Sequence, residues 1–402
     1  MAIAIHHTRL IDGTGAILDQ ATVLVHGPKI LAIGPSRDIA FPKGCKRIDG
    51  RGLTIIPGLI DCHVHLCLGS EPDVVGTVET ESPSYTLLKS ARHARMTLEG
   101  GVTTVRDVGA RDHSIFALKQ AVDTGIMPGP RIVGAGLAIC MIGGHARFIG
   151  QEVEGPDQVR RAVEAQIAAG AGVIKVIASG GVLTPGTSPD QAQMTPEELS
   201  AAVMAAGRAQ RKVAAHAHGA SGMKNAIQAG VHSIEHATLL DDEAGEMMTR
   251  HGVYMVPTLS ALATTAAGRS GCGIPESAVE KAKAMTKRHQ ASFKKARRSG
   301  IAIAMGTDAG TPFNFHGDNA QELDRMVALG MTPMEALVAS TASAAKLIGI
   351  QESVGTLQRG MQADLLVIEG NPHRRIELLL DRRRIIGVMQ AGRFVAGPLA
   401  SC

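Results

Sequence analysis

From about Leu53 onward, short apolar runs rich in β-branched residues alternate with longer stretches of helical pattern. Short apolar runs bounded by turn residues predict buried strands, and their alternation with helices predicts βα units around a parallel sheet. The predicted strands cover 53–61, 102–107, 131–136, 173–178, 213–216, 232–236, 254–258 and 301–307. Eight such runs predict an α/β fold built on a (β/α)8 TIM barrel. Helices are predicted over 83–99, 156–169, 195–210, 221–229, 241–251 and 276–298, with Thr195 capping the segment that opens Pro196-Glu197-Glu198.

The two ends of the chain carry a different pattern. Residues 1–52 contain Ile3-Ala4-Ile5, Ala21-Thr22-Val23-Leu24-Val25 and Lys29-Ile30-Leu31-Ala32-Ile33, separated by Asp12-Gly13-Thr14-Gly15 and Gly27-Pro28. Residues 355–402 add strand-like runs at Ala363-Asp364-Leu365-Leu366-Val367-Ile368, Arg384-Ile385-Ile386-Gly387-Val388-Met389 and Arg393-Phe394-Val395. Neither half is large enough to bury a core alone, so the two are expected to pair into one small β-sandwich domain. The barrel, residues 53–354, is then inserted between them.

Charge narrows the function classes. The 41 basic and 37 acidic residues nearly balance and form no long single-sign block, which argues against nucleic acid as a partner. The densest basic cluster, Lys294-Lys295-Ala296-Arg297-Arg298, reads as a solvated helix face. No apolar run approaches membrane-spanning length, and the segment after Met1 lacks a leader pattern. The cysteines, at 45, 62, 67, 140, 272 and 402, form neither a disulfide framework nor a C-x-x-C pair. A cytoplasmic protein without a membrane partner is therefore expected. The absence of Trp and the presence of only 2 Tyr argue against a pocket built mainly on aromatic stacking, and Phe148, Phe313 and Phe315 are candidates either for pocket walls or for ordinary packing.

Functional groups in such a barrel belong at the C-terminal ends of strands. His63 and His65 lie two apart at the end of the first run, and the strand period directs both imidazoles to one side, as shared metal ligation requires. The same alternation turns Cys62 away, and Cys67 is placed near the mouth. His216 ends the fifth run, His236 the sixth, and Asp308 follows the eighth. Lys175 stands inside the fourth run, Val173-Ile174-Lys175-Val176-Ile177, where burial penalises its charge and something must neutralise or use it. One buried histidine or acid is ordinarily structural. Recurrence at successive strand ends points instead to a metal centre. Arg106 and Asp107, ending the second run, read as a structural ion pair.

The segments that carry this chemistry are Pro57-Gly58-Leu59-Ile60-Asp61-Cys62-His63-Val64-His65, Gly101-Val102-Thr103-Thr104-Val105-Arg106-Asp107, Lys175 in its strand, Ala215-His216-Ala217-His218, Ser233-Ile234-Glu235-His236 and Gly306-Thr307-Asp308-Ala309-Gly310. Together they resemble the amidohydrolase superfamily over essentially the full length. Ile177-Ala178-Ser179-Gly180-Gly181 and Gly143-Gly144-His145 are similar to its dinuclear branch of prolidase-like and other dipeptide carboxypeptidases, whose members also cleave amides such as ochratoxin. The resemblance implies two divalent metal ions, usually zinc, bridged by a carbamate formed on Lys175. One ion takes His63, His65 and Asp308, the other His216 and His236, with a hydroxide shared between them.

The same resemblance implies further roles. Asp308 serves as general base and then as acid toward the leaving amine, and His145 binds the substrate carbonyl or stabilises the tetrahedral intermediate. The implied substrate is a small-molecule amide or dipeptide that releases a C-terminal amino acid, and the implied assembly is a homo-oligomer, up to an octamer. His218 stands where some relatives carry tyrosine and is a candidate contact for a substrate carboxylate. Cyclic-amide hydrolysis of the imidazolonepropionase kind is typically mononuclear and makes no use of Lys175. Lactone or organophosphate ester hydrolysis shares the ligand set, and a non-catalytic scaffold predicts missing ligands, of which none is missing.

Overall fold

The computed structural model describes residues 2–269 and 271–401, so that Met1, Ser270 and Cys402 lie outside the described residues. At the N-terminus β1 (Ala2–Ile11), β2 (Ile17–His26) and β3 (Lys29–Pro35) form consecutive antiparallel pairs, while β4 (Lys46–Asp49) and β5 (Leu53–Pro57) each run parallel to β1. The chain then enters a parallel set. β6 (Leu59–Val64), β7 (Val102–Asp107) and β8 (Arg131–Gly134) form one three-stranded sheet. β9 (Ala138–Met141), β10 (Gly150–Val153), β11 (Val173–Ile177), β12 (Lys212–Ala217), β13 (Ser233–His236) and β14 (Tyr254–Val256) form a second sheet in the order β10-β9-β11-β12-β13-β14. The C-terminal β15 (Leu365–Glu369), β16 (Ile385–Gln390) and β17 (Arg393–Ala396) return to the first strands, giving an eight-stranded sheet in the order β17-β16-β15-β5-β1-β2-β3 with β4 beside β1.

The two ends of the chain thus share one sheet because β15 pairs antiparallel with β5 from Leu365↔Pro57 to Glu369↔Leu53. The apolar run at 53–61 is not one strand. It breaks at Pro57-Gly58, giving its first half to the terminal sheet and its second to the parallel set. Proline lacks the ladder N–H, and Gly58 lies so close to Thr103 that an added Cβ would be 2.1 Å from its Oγ1.

The segment predicted as the eighth strand, 301–307, also departs from expectation. It makes one isolated bridge rather than a ladder, Ile303 with Met255, and just beyond it Ala309 bridges to Val64. Backbone bonds from Cys62 N to Met305 O (2.9 Å), Asp308 N to His63 O (2.7 Å) and Thr258 N to Gly306 O (3.1 Å) hold it between β6 and β14. Regular extension fails at Asp308, whose φ of 60° is left-handed, so the ladder cannot continue. On the other side, Gly172 N donates to Gly134 O (2.9 Å), joining β8 to the start of β11. The layout is mixed α/β of the TIM-barrel type, with both sheets open as ladders.

Helices over Pro83–Glu99 and Glu276–Arg298 match their predicted spans, and Pro196–Arg208 starts at the full capping box formed by Thr195 and Glu198. The main apolar core packs strand residues that face the helices, such as Val105, Ile132, Ile174, Val176, Val213 and Ile234, against helix residues such as Leu98, Val163, Leu199 and Ile227. The parallel pair of β9 and β10 is not foreseen, since Ala138–Met141 is too short to stand out as a run. It frames the loop that carries His145. No described helix is long and apolar enough to cross a membrane.

Because a Cβ at residue 58 would lie 2.8 Å even from Thr103 Cβ, a flexible side-chain end cannot absorb the clash. Gly58→Ala is expected to lower unfolding stability by about 1–3 kcal/mol, as overpacking does, in urea denaturation.

Candidate metal centre

The strand register decides which side chains meet. Ile177 pairs with His216 and Ala217 with His236, so β11, β12 and β13 end in step. His63, His65, Lys175, His216, His218, His236, Asp308 and His145 all line one cavity, with about 670 Å³ of empty space that includes its opening to solvent. The structure thus brings every residue singled out for the site to one place. Leu68, Val108, Phe148, Ile149, Val182, Leu183 and Leu262 supply apolar walls to the same cavity.

Each imidazole is fixed through one nitrogen. His63 Nδ1 donates to Glu235 Oε2 (2.7 Å), and His65 Nδ1 donates to the Gly109 carbonyl (2.8 Å). Their Nε2 atoms then point lone pairs toward Asp308 Oδ1, 3.4 Å and 3.3 Å away. His216 donates from Nε2 to the Gly180 carbonyl (3.1 Å), leaving Nδ1 as its ligand atom. His236 Nδ1 meets the Thr258 hydroxyl at 2.6 Å, and His218 Nδ1 the Thr238 hydroxyl at 2.7 Å. Holding one nitrogen so that the other presents a lone pair is how proteins orient metal-binding histidines. Ring centroids of His63 and His236 are 5.0 Å apart, and those of His216 and His236 are 4.6 Å apart.

Electrostatics favours the ligating state. Burial pulls His63 down to about 4 and His216, His218 and His236 well below the ordinary histidine range, so these rings are neutral at pH 7. Burial acts on His65 too, but the Asp308 carboxylate outweighs it and raises its pKa. Asp308 Oδ1 is buried without a hydrogen-bond partner, since neither Nε2 facing it is aimed as a donor. An anionic oxygen without a hydrogen bond beside buried imidazoles is a poor arrangement for protein alone and a good one for a divalent cation. Ligand atoms of His63, His236 and Asp308 lie within 4.8 Å of one another, as do those of His216, His218 and His236.

Lys175 is 2% exposed, and burial pulls its amine down to about 8. Among the described residues it has neither an ion pair nor a hydrogen bond. Strain collects at the same rim, with left-handed φ values at His236 (72°), Thr258 (50°) and Asp308 (60°).

Some expectations change. Arg106 does not pair with Asp107; its guanidinium donates to Glu235 Oε1 (2.8 Å), Ser233 Oγ (3.0 Å) and the Cys62 carbonyl (2.5 Å). Alternation explains this, since neighbours on a strand face opposite sides. Asp107 instead accepts the Leu66 N–H (2.8 Å). Cys67 is buried with its thiol on the Gly109 carbonyl and does not line the cavity. Of the three phenylalanines, Phe148 lines it, Phe313 packs against the Val182 and Leu262 cluster, and Phe315 is exposed. The sequence alone assigns Glu235 no role. Its signal was an acid beside a strand-end histidine, inside an otherwise buried run.

The amidohydrolase family profile matches residues 54–395. Ochratoxinase of Aspergillus niger is 32% identical over 97% of this chain and 85% of its own length. A crystal structure of a Xaa-Pro dipeptidase with methionine bound in its active site superposes with a TM-score of 0.92 at 35% identity, covering 99% of this chain and 100% of the other. A prolidase complexed with N-methylphosphonate-L-proline superposes with a TM-score of 0.92 at 31% identity, covering 98% and 99%.

Burial works to raise the Glu235 carboxyl, yet the Arg106 charge and the His63 bond hold it down at about 2, against an ordinary 4.5. Its contribution to stability is therefore complete above pH 4.5 and is lost as pH falls toward 2. Glu235→Gln leaves the Arg106 cation buried and uncompensated and is expected to cost about 3–5 kcal/mol in chemical denaturation at neutral pH. The gap from wild type should shrink as acid is added below pH 4.5.

Proposed function

The chain belongs to the amidohydrolase family and is a hydrolase acting on C–N bonds; from that premise we propose that it releases a C-terminal amino acid from a dipeptide, N-acyl amino acid or ochratoxin-like amide, using two divalent metal ions. The observation that carries this reading is Lys175, a buried amine without an ion pair or hydrogen bond among the described residues, in a cavity of buried histidines and one bare carboxylate oxygen. Carbon dioxide adds to a neutral amine, forming an N–C bond and releasing a proton, and burial makes the neutral form accessible near physiological pH. The carbamate so formed replaces a costly buried cation with an anionic ligand.

In this reading His63, His65 and Asp308 would hold one ion and His216 and His236 the other, with carboxylated Lys175 as a ligand available to both; zinc would suit this donor set. When bound, the ions supply activation of water and polarisation of the scissile carbonyl. Asp308 takes the water's proton and delivers it to the leaving amine. His145 is set for a different task. Thr184 Oγ1 accepts the Ala146 N–H (3.2 Å), so its own hydroxyl hydrogen is free to go to His145 Nδ1 (2.8 Å), which leaves Nε2 as a donor for the substrate carbonyl oxygen. His218, held at Nδ1 by Thr238, offers its other nitrogen to the substrate carboxylate.

The apolar walls favour uncharged side chains on either side of the amide. We also read the terminal segments, 1–52 and 355–402, as an accessory β-sandwich beside a (β/α)8 unit of 53–354, with Leu53–Pro57, at the start of that span, pairing in the terminal sheet. The described cysteines are all unpaired, in keeping with a cytoplasmic location.

Chelation to metal-free protein should abolish hydrolysis of dipeptides and N-acyl amino acids, and added zinc should restore it; full activity without metal would overturn the mechanism. Lys175→Ala should drop bound metal below two ions per chain by elemental analysis and lower turnover by a factor on the order of a thousand or more.

A further inference from the structure

The helix Glu276–Arg298 touches the site from outside at several points. His289 Nε2 donates to the His236 carbonyl (3.0 Å), and Ser292 Oγ to the Thr238 carbonyl (2.8 Å), which fixes the helix against the end of β13. Two turns earlier Lys281 reaches the turn that follows β11. Its Nζ donates to the carbonyls of Thr187 (2.7 Å), Thr184 (3.1 Å) and Gly181 (3.3 Å). An ammonium has three N–H donors, so these carbonyls satisfy it completely, and charge-assisted bonds of this kind are stronger than neutral ones.

The three carbonyls belong to the turn that holds His145. Thr184 bonds the ring at Nδ1, and Gly181 lies against the ring so closely that an added Cβ would be 2.2 Å from Nε2. The turn contains little regular structure of its own: apart from the cation, the Gly181 and Thr184 carbonyls share only the single hydrogen of the Thr187 hydroxyl (3.3 and 3.0 Å), and the Thr187 carbonyl is held by Lys281. We propose that Lys281 is a positioning residue for His145: its ammonium gathers these three carbonyls and thereby fixes the Thr184 hydroxyl that sets the ring toward the substrate. This rests on the role given above to His145.

A double-mutant cycle tests the assignment on zinc-loaded protein. Lys281→Met keeps the apolar stem and removes the charge. It should lower kcat/KM at least about tenfold with metal content unchanged, and should cause no further loss in a His145→Ala background. In Lys281→Ala, n-propylammonium should restore part of the activity, and it should restore none in His145→Ala. Undiminished activity in Lys281→Met, equal fold-losses in both backgrounds, or a loss that tracks loss of metal would each overturn the assignment. Should Lys281→Met not fold, the same cycle with Lys281→Arg applies the same criterion, since a planar fork does not place three donors around one point. A neutral His145→Ala is a separate outcome: it overturns the role of His145 and, with it, that of Lys281.

Discussion

The structure turns on the cost of burying an amine among apolar strand residues and histidines. Lys175 sits between apolar neighbours in the middle of a parallel sheet, and among the described residues no carboxylate forms an ion pair with it, although Glu235 and Asp308 lie near enough to act on its charge. A lysine in that position normally destabilises a fold by several kcal/mol, or reaches solvent along its stem. Here the strand ends around it supply nitrogen donors kept neutral by the same burial, and a carboxylate oxygen with no hydrogen. Each of these groups is unfavourable by itself. A dinuclear metal site with a carboxylated lysine would satisfy them together, which is why the proposed chemistry and the proposed stability have one origin.

Around that centre lies a ring of residues whose work is orientation. Glu235 is the clearest, joining His63 to Arg106 and Ser233 in one buried network. Asp61 is another: it accepts from His63 N, Thr307 N, Thr307 Oγ1 and Asn319 Nδ2, tying β6 to the segment that carries Asp308. Burial pushes its carboxyl up to about 6 despite those bonds. Glu322 does similar work further out, accepting the N–H groups of Leu259 and Ser260 at the start of a helix whose Leu262 lines the cavity. Buried carboxylates that are fully hydrogen-bonded give rigidity, and a site with several histidines needs it.

What could be read from the sequence was whatever local pattern controls. The run Val102–Asp107 and the helices Pro83–Glu99 and Glu276–Arg298 follow from periodicity and caps, and the ligand candidates follow from their placement at strand ends. Contacts between residues distant in sequence were not readable. Nothing near Arg106 indicates that its partner is Glu235 rather than Asp107, nor does the helix around Lys281 reveal that it meets a turn a hundred residues earlier. The eighth run failed for a related reason: its apolar content is that of a strand, but the left-handed turn at Asp308 and the close packing of Gly306 on His63 stop the ladder. The position that breaks the local rule is also the one offering its carboxylate to the site, a coincidence expected where function overrides regular structure.

The central claim is that the Lys175 amine exists as a carbamate held between two metal ions. Carbon-13 NMR of zinc-loaded protein equilibrated with labelled bicarbonate tests this directly. The account predicts a carbamate resonance that is absent from Lys175→Ala and disappears when metal is removed. A wild-type protein that binds its metal and hydrolyses amides without that resonance would contradict it.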